Sequence, residues 1–313
     1  MPGTSIWRRL MPGLLSMLLA AAAASAAPQV TMVAAADGLP LCVAEAGNPQ
    51  GPVLLLLHGF GQSHAVFTRQ FSGELAREFR LIAPDMRGHG CSGKPWTEAA
   101  YAGPGPWAGD IAASLRAFGV ERPVVIVGWS AGGYWALDYL RVQGAATVAG
   151  LVLAGSHGGL VSAELDPGLA ARIAAARAAA AAAPLDIDTA IAQAEQAPGR
   201  MAAQPLPADI ARIMSASTLM LPAYVRRAMG GWNLDNSDLA PRLGLPLLFI
   251  VGSADVVAPP AQVKAVAARL PGAEVLVYDG AGHATFAEQP AHFDRDVAMF
   301  ARRAYAAAGT APQ

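Results

Sequence analysis

Ser130 stands in Gly128-Trp129-Ser130-Ala131-Gly132-Gly133, behind the apolar run Val124-Val125-Ile126-Val127 and ahead of a helical stretch through Tyr139. G-x-S-x-G between a strand and a helix reads as a nucleophile elbow, which exposes the hydroxyl on a sharp turn. Side chains at the glycine positions of so tight a turn would strike neighbouring backbone, and the nucleophile itself sits in a strained conformation. The helix start behind Ser130 offers partial positive charge to a developing oxyanion. A serine hydroxyl is a weak nucleophile until a base takes its proton, and that base needs an acid to orient it. Six histidines are available: His58, His64, His89, His157, His283 and His292. His283, in Asp279-Gly280-Ala281-Gly282-His283-Ala284, follows the last apolar run on a glycine-rich loop and is assigned as the base. His292 falls in a helical pattern and reads as a surface residue.

Asp255 is assigned as the acid, because it follows the run Leu247-Leu248-Phe249-Ile250-Val251 in a turn that leads into a helix start. Its competing reading is a helix cap. The segment Ala154-Gly155-Ser156-His157 after the preceding run offers no carboxylate, and Asp235 and Asp238 read as turn or cap residues. A tetrahedral intermediate also needs two hydrogen-bond donors for its oxyanion. The backbone N–H of Ala131 is one; Phe60, in His58-Gly59-Phe60-Gly61-Gln62-Ser63, supplies the other, with His58 orienting that loop by hydrogen bonding.

The elements that must hold these residues alternate along the chain. Short apolar runs occur at 29–33, 39–45, 53–57, 80–84, 124–127, 148–153, 247–251 and 274–278. Helical patterns lie at 65–78, 107–118, 131–142, 260–270 and 290–307. Continuous runs such as Val53-Leu54-Leu55-Leu56-Leu57 read as strands buried on both faces of a parallel sheet, so the fold class is α/β. Residues 162–238 break the rhythm with helical signals, prolines and no strand; Ile187, Ile191, Ile210, Ile213 and Met214 keep a helical spacing. This predicts a helical lid at 162–238 between core segments 28–161 and 239–313.

Taken together, His58-Gly59-Phe60-Gly61, Asp85-Met86-Arg87-Gly88-His89-Gly90-Cys91-Ser92, the elbow, Gly252-x-x-Asp255 and Gly282-His283 resemble the α/β-hydrolase superfamily. Residues 124–156 look most like its serine esterases and cofactor-free haloperoxidases (perhydrolases). The resemblance implies a mostly parallel eight-stranded sheet with helices on both faces and the lid inserted after strand 6. It implies hydrolysis of a small to medium carboxylic ester through an acyl-enzyme, with no cofactor and no metal. Arg87 and His89 become hydrogen-bonded scaffolding. Epoxide hydrolases and haloalkane dehalogenases carry an aspartate where this chain has Ser130. Perhydrolases, lactonases and carbon–carbon bond hydrolases share the triad and stay open, as does a ligand-binding receptor on the same fold. The family's strand order also sets the second and fourth strands side by side. Cys42 and Cys91 then come within reach of a disulfide, each being otherwise a small core residue.

A substrate pocket is expected from Phe60, Trp129, Met214, Leu219, Met220 and Trp232, with Trp129 equally readable as core. Composition narrows the partners. Of the 313 residues, 22 are basic and 23 acidic, for a net charge of −1, and Lys94 and Lys264 are the only lysines. Nucleic-acid binding and a polybasic membrane patch are therefore not expected, which leaves a small ester-like molecule as the partner. Arg8-Arg9, the uncharged stretch 10–24 and Ser25-Ala26-Ala27 have the layout of a secretory signal peptide at 1–27. An uncleaved anchor is the alternative; only Leu14 to Leu19 is strongly apolar, short of the ~20 residues a span needs. A periplasmic or secreted enzyme is expected.

Overall fold

The computed structural model describes residues 27–161, 168–182 and 186–309. The expected signal segment falls outside these residues, apart from Ala27. The eight apolar runs become β1 (Gln29–Ala34), β2 (Pro40–Gly47), β3 (Val53–Leu57), β4 (Arg80–Pro84), β5 (Val124–Trp129), β6 (Val148–Ala154), β7 (Leu247–Gly252) and β8 (Glu274–Tyr278). They form one sheet in the order β1-β2-β4-β3-β5-β6-β7-β8. β2 runs antiparallel to both its neighbours, and every pairing from β4 to β8 is parallel.

Alternation along a strand divides each apolar run between two cores. Leu54 and Leu56 pack with Phe71, Leu75 and Phe300, whereas Leu55 and Leu57 pack with Trp107 and Trp135 on the other face. Helices cover both. Before β6 come α1 (Thr68–Ser72), α2 (Glu74–Glu78), α3 (Gly105–Ala117) and α4 (Ala131–Gln143). Between β6 and β7 lie α5 (Leu169–Ala181), α6 (Ile187–Met201), α7 (Ala208–Met220) and α8 (Ala223–Ala228); α9 (Pro260–Ala267), α10 (Thr285–Glu288) and α11 (Pro290–Ala307) follow. No described residue between β6 and β7 is in a strand, and no described helix is long and apolar enough to cross a membrane.

The single helix expected at 65–78 is broken instead. Gly73 is extended (φ −90°, ψ −163°), and Asp294 of α11 accepts the Glu74 N–H at 3.0 Å, capping α2 from a distant element. The Cys42 and Cys91 sulfurs are joined, with 5.7 Å between the Cα atoms. The bridge ties β2 to the turn after β4.

Parallel register decides where chemistry can occur. Leu57 pairs with Gly128, Trp129 with Ala154, and Gly252 with Tyr278. The loops after β3, β5, β6, β7 and β8 therefore leave the sheet at its carboxyl edge, where open α/β sheets bind their ligands.

Candidate active site

β5 ends at Trp129 and α4 begins at Ala131, so Ser130 alone makes the reversal. Its φ of 53° is the only positive value for a non-glycine among the described residues. Two glycines make room for the turn: a Cβ on Gly128 would lie 2.6 Å from the Gly132 carbonyl carbon, and one on Gly132 2.2 Å from the Leu57 oxygen. The Ser130 N–H donates to the Ala154 carbonyl at 2.9 Å, pinning the elbow to β6. Ala131, as the first residue of α4, has an N–H with no acceptor inside the helix.

His283 Nδ1 lies 3.0 and 3.2 Å from the two carboxylate oxygens of Asp255, and both side chains are buried. Asp255 Oδ1 also accepts the N–H groups of Val257 (2.8 Å) and Ala258 (2.9 Å), so this residue caps its own turn while it faces His283. A proton held on Nδ1 by that carboxylate leaves Nε2 as the basic nitrogen. Elbow and base share one wall. The Trp129 indole donates to the His283 carbonyl at 2.9 Å, and a Cβ on Gly155, next to Ala154, would lie 2.9 Å from His283 Nδ1.

Further bonds hold the base loop from outside the sheet. Glu288, the last residue of α10, accepts the N–H of Gly282 with Oε1 and that of Ala203 with Oε2, both at 2.8 Å. The Ala284 N–H donates to the Met201 carbonyl at 2.8 Å. Residues on both sides of His283 are thus clamped to the end of α6 and the residues just after it. Sequence reasoning missed Glu288. Its one signal is an acid at a helix C-terminus, where the dipole disfavours negative charge.

The oxyanion loop is set by His58. Its Nε2 accepts the Met86 N–H (3.1 Å), so Nδ1 carries the proton and donates to the Gly59 carbonyl (2.8 Å). Burial lowers the pKa of this histidine, against the pull of the Asp85 charge, which keeps the ring neutral. Because the peptide is planar, fixing the Gly59 carbonyl also fixes the Phe60 N–H on the opposite side. Further along, Gln62 Nε2 donates to Thr218 Oγ1 (3.1 Å), and the Ser63 and Ser217 hydroxyls are 2.8 Å apart, so α7 grips the loop as well. Arg87 takes the scaffold role, pairing with Asp110 through Nε (2.8 Å) and Nη2 (2.7 Å). His89 bonds the Arg87 carbonyl, and burial pushes its pKa down to about 3.

The expected pocket residues differ in burial and direction. Trp129 is 1% exposed, on the same sheet face as Val125 and Val127 and edge-on to Phe286; it braces the base from below. Trp232 is buried among Trp107, Tyr134 and Trp135, with its indole toward Asp138 Oδ2 at 3.4 Å. On α7 the stripe Ile210, Met214, Ser217 faces inward and continues to Leu221, which buries Met214 completely. The same geometry turns Leu219 and Met220 outward, at 44% and 43% exposed. Leu221, which was not expected, is the apolar residue of this region beside the oxyanion loop: a Cβ on Gly61 would lie 3.8 Å from its Cδ2. A cavity of about 890 Å³ walled by Leu160, Leu243, Leu245, Leu247, Val266 and Leu270 shares no residue with Ser130, Asp255 or His283. Among the described residues, the side chains grouped closely enough to share a metal ion are Cys42, Asp85 and Cys91, whose sulfurs are already bonded to each other.

A model of the alpha/beta hydrolase fold matches residues 52–290. The chain is 34% identical over 249 residues to the magnesium-chelatase 30 kDa subunit of Rhodobacter capsulatus, covering 77% of this chain and 84% of that one. Among solved structures, an esterase from Rhodococcus sp. ECU1013 matches with a TM-score of 0.75 and 28% identity, over 87% of this chain and 98% of that one. A thermophilic esterase from Thermogutta terrifontis matches with a TM-score of 0.70 and 26% identity, over 88% and 99%.

Proposed function

The chain belongs to the alpha/beta hydrolase family, and we propose that it is a serine hydrolase of carboxylic esters working through an acyl-enzyme. The observation that carries this is the strained Ser130 elbow set against the buried His283–Asp255 pair; the likeness to solved esterases supports it. In this scheme Ser130 Oγ attacks the ester carbonyl carbon while His283 Nε2 takes the hydroxyl proton. The N–H groups of Phe60 and Ala131 stabilise the oxyanion. Collapse expels the alcohol, which leaves with the proton from His283. Water then attacks the acyl-serine with the same base, and the acid is released. Asp255 orients His283 and stabilises the ring while it carries the proton.

The helical region between β6 and β7 is proposed to be the lid, with Leu221 and Phe60 bordering the acyl group. Export belongs to the same proposal, supported by the residues before 28 and by the Cys42–Cys91 bridge, since disulfides persist in oxidising compartments.

The test is hydrolysis of 4-nitrophenyl butyrate together with labelling by diethyl 4-nitrophenyl phosphate. Stoichiometric labelling of Ser130 and matching loss of hydrolysis are expected. Near-normal turnover by purified Ser130→Ala overturns the assignment. A panel of lactones, diketones and peracid-forming acids then ranks esters against the other reactions this triad performs.

A further inference from the structure

One charge beside the candidate site has no use in neutral ester hydrolysis. Arg226 of α8 lays its guanidinium over the Phe60 ring, with Cζ 5.3 Å from the ring centroid. Phe60 is the residue whose N–H is proposed for the oxyanion. The backbone that carries Arg226 is well anchored. Val225 is buried against Gly88, and the Tyr224 hydroxyl donates to the Lys94 carbonyl at 2.9 Å.

No described carboxylate meets this guanidinium. The other guanidinium buried near this loop, Arg87, pairs with Asp110 at 2.7 Å. The charge that acts on Arg226 is another cation, Arg200, and burial together with that repulsion lowers the Arg226 pKa. Arg200 is itself turned to the Gln193 carbonyl at 2.8 Å. It directly precedes Met201, whose carbonyl holds Ala284 beside His283. Arg226 thus lies on the oxyanion loop, and the cation that acts on it belongs to α6, whose last residue holds the base loop.

A guanidinium drawn partly out of water without an anion is costly, and the cost falls when a carboxylate arrives and binds it in bidentate fashion. Lysine could not offer the same planar fork. We propose that Arg226 is an anion subsite of the active site, selecting esters that carry a second, free carboxylate on the acyl chain. The proposal rests on the ester-hydrolase reading.

The experiment compares two substrates of equal acyl length: the 4-nitrophenyl monoester of adipic acid, and 4-nitrophenyl hexanoate. The wild type should favour the adipate ester. In Arg226→Met the ratio of kcat/KM for adipate over hexanoate should fall on the order of 10- to 100-fold, mainly through KM, as loss of a hydrogen-bonded charge predicts. Arg226→Lys should recover part of it, and added salt should erode the wild-type preference. An unchanged ratio in a folded Arg226→Met, or a wild type that cleaves hexanoate and refuses adipate, overturns the subsite while the ester reading stands. A wild type that cleaves neither and resists the phosphate label overturns the ester reading. Calorimetry of adipate binding to wild type and Arg226→Met then judges the subsite alone, and absent or equal binding sinks it.

Discussion

The loop that carries Asp255 and the loop that carries His283 are neighbours at one sheet edge, yet they are held in different ways. The acid loop is held from within and by its immediate neighbour: Asp255 accepts two N–H groups from its own turn, the Asp255 N–H returns to Gly252, and the Ala254 N–H donates to Ala281 at 2.9 Å. The base loop leans on residues about eighty positions earlier, through Met201, Ala203 and Glu288. The oxyanion loop combines both arrangements, with His58 beneath it and Ser217 and Thr218 of α7 beside it. A region expected only to choose substrates thus also holds the loops that carry His283 and Phe60.

The largest effect should come from removing the chemistry itself. Ser130→Ala or His283→Ala should lower turnover ~10⁶-fold and Asp255→Asn about 10⁴-fold, whichever way the loop is held. Stopped assays on purified variants measure this; a drop for Asp255→Asn as large as for His283→Ala would mean the acid does more than orient.

A second probe concerns another point where the helical region meets the core, Trp232 on Asp138. Burial raises the Asp138 carboxyl to about 7, so the folded state holds that proton more tightly than the unfolded chain does. Its contribution to stability is therefore present below about pH 4 and is lost as pH rises toward 7. Asp138→Asn should raise Tm by several degrees at pH 8, for roughly 2–4 kcal/mol, and by almost nothing at pH 4. A gain independent of pH would refute the buried-charge account.

Glu288→Gln sharpens the contrast between the loops directly. A glutamine oxygen can replace one of the two acceptor bonds, so kcat should fall about 10-fold with little change in KM. An unaffected kcat with a lowered Tm would make the clamp merely structural. Ser217→Ala, which removes one hydroxyl contact from the oxyanion loop, should cost only ~3- to 5-fold, and equally for every acyl length.

The eight apolar runs reached their strands with ends shifted by two residues at most, because in a sheet covered on both faces hydrophobicity and β-branching coincide. Ser130, Asp255 and His283, which the fold brings to one sheet edge, stand out in the sequence because each follows a strand whose end is marked by glycine or a turn. Side-chain direction was harder to read. Trp129 lies two residues beyond Val127 on the same strand, so alternation alone would have sent it to the core beside Val125 and Val127. Leu219 and Met220 resemble pocket residues by type, but the stripe through Ile210, Met214 and Ser217 had already used the inward face of α7. Glu288 and Arg226 were invisible for a different reason. Their roles depend on segments far away in the chain, and no local periodicity encodes those meetings.

The positive φ of Ser130 has a consequence for selection. A side chain held there costs of order 1–3 kcal/mol, and glycine is the residue that relieves it. Ser130→Gly should therefore be the more heat-resistant protein and an inert one. Any search that rewards only thermal survival would discard the hydroxyl first, so thermostability and turnover must be screened together when this chain is evolved.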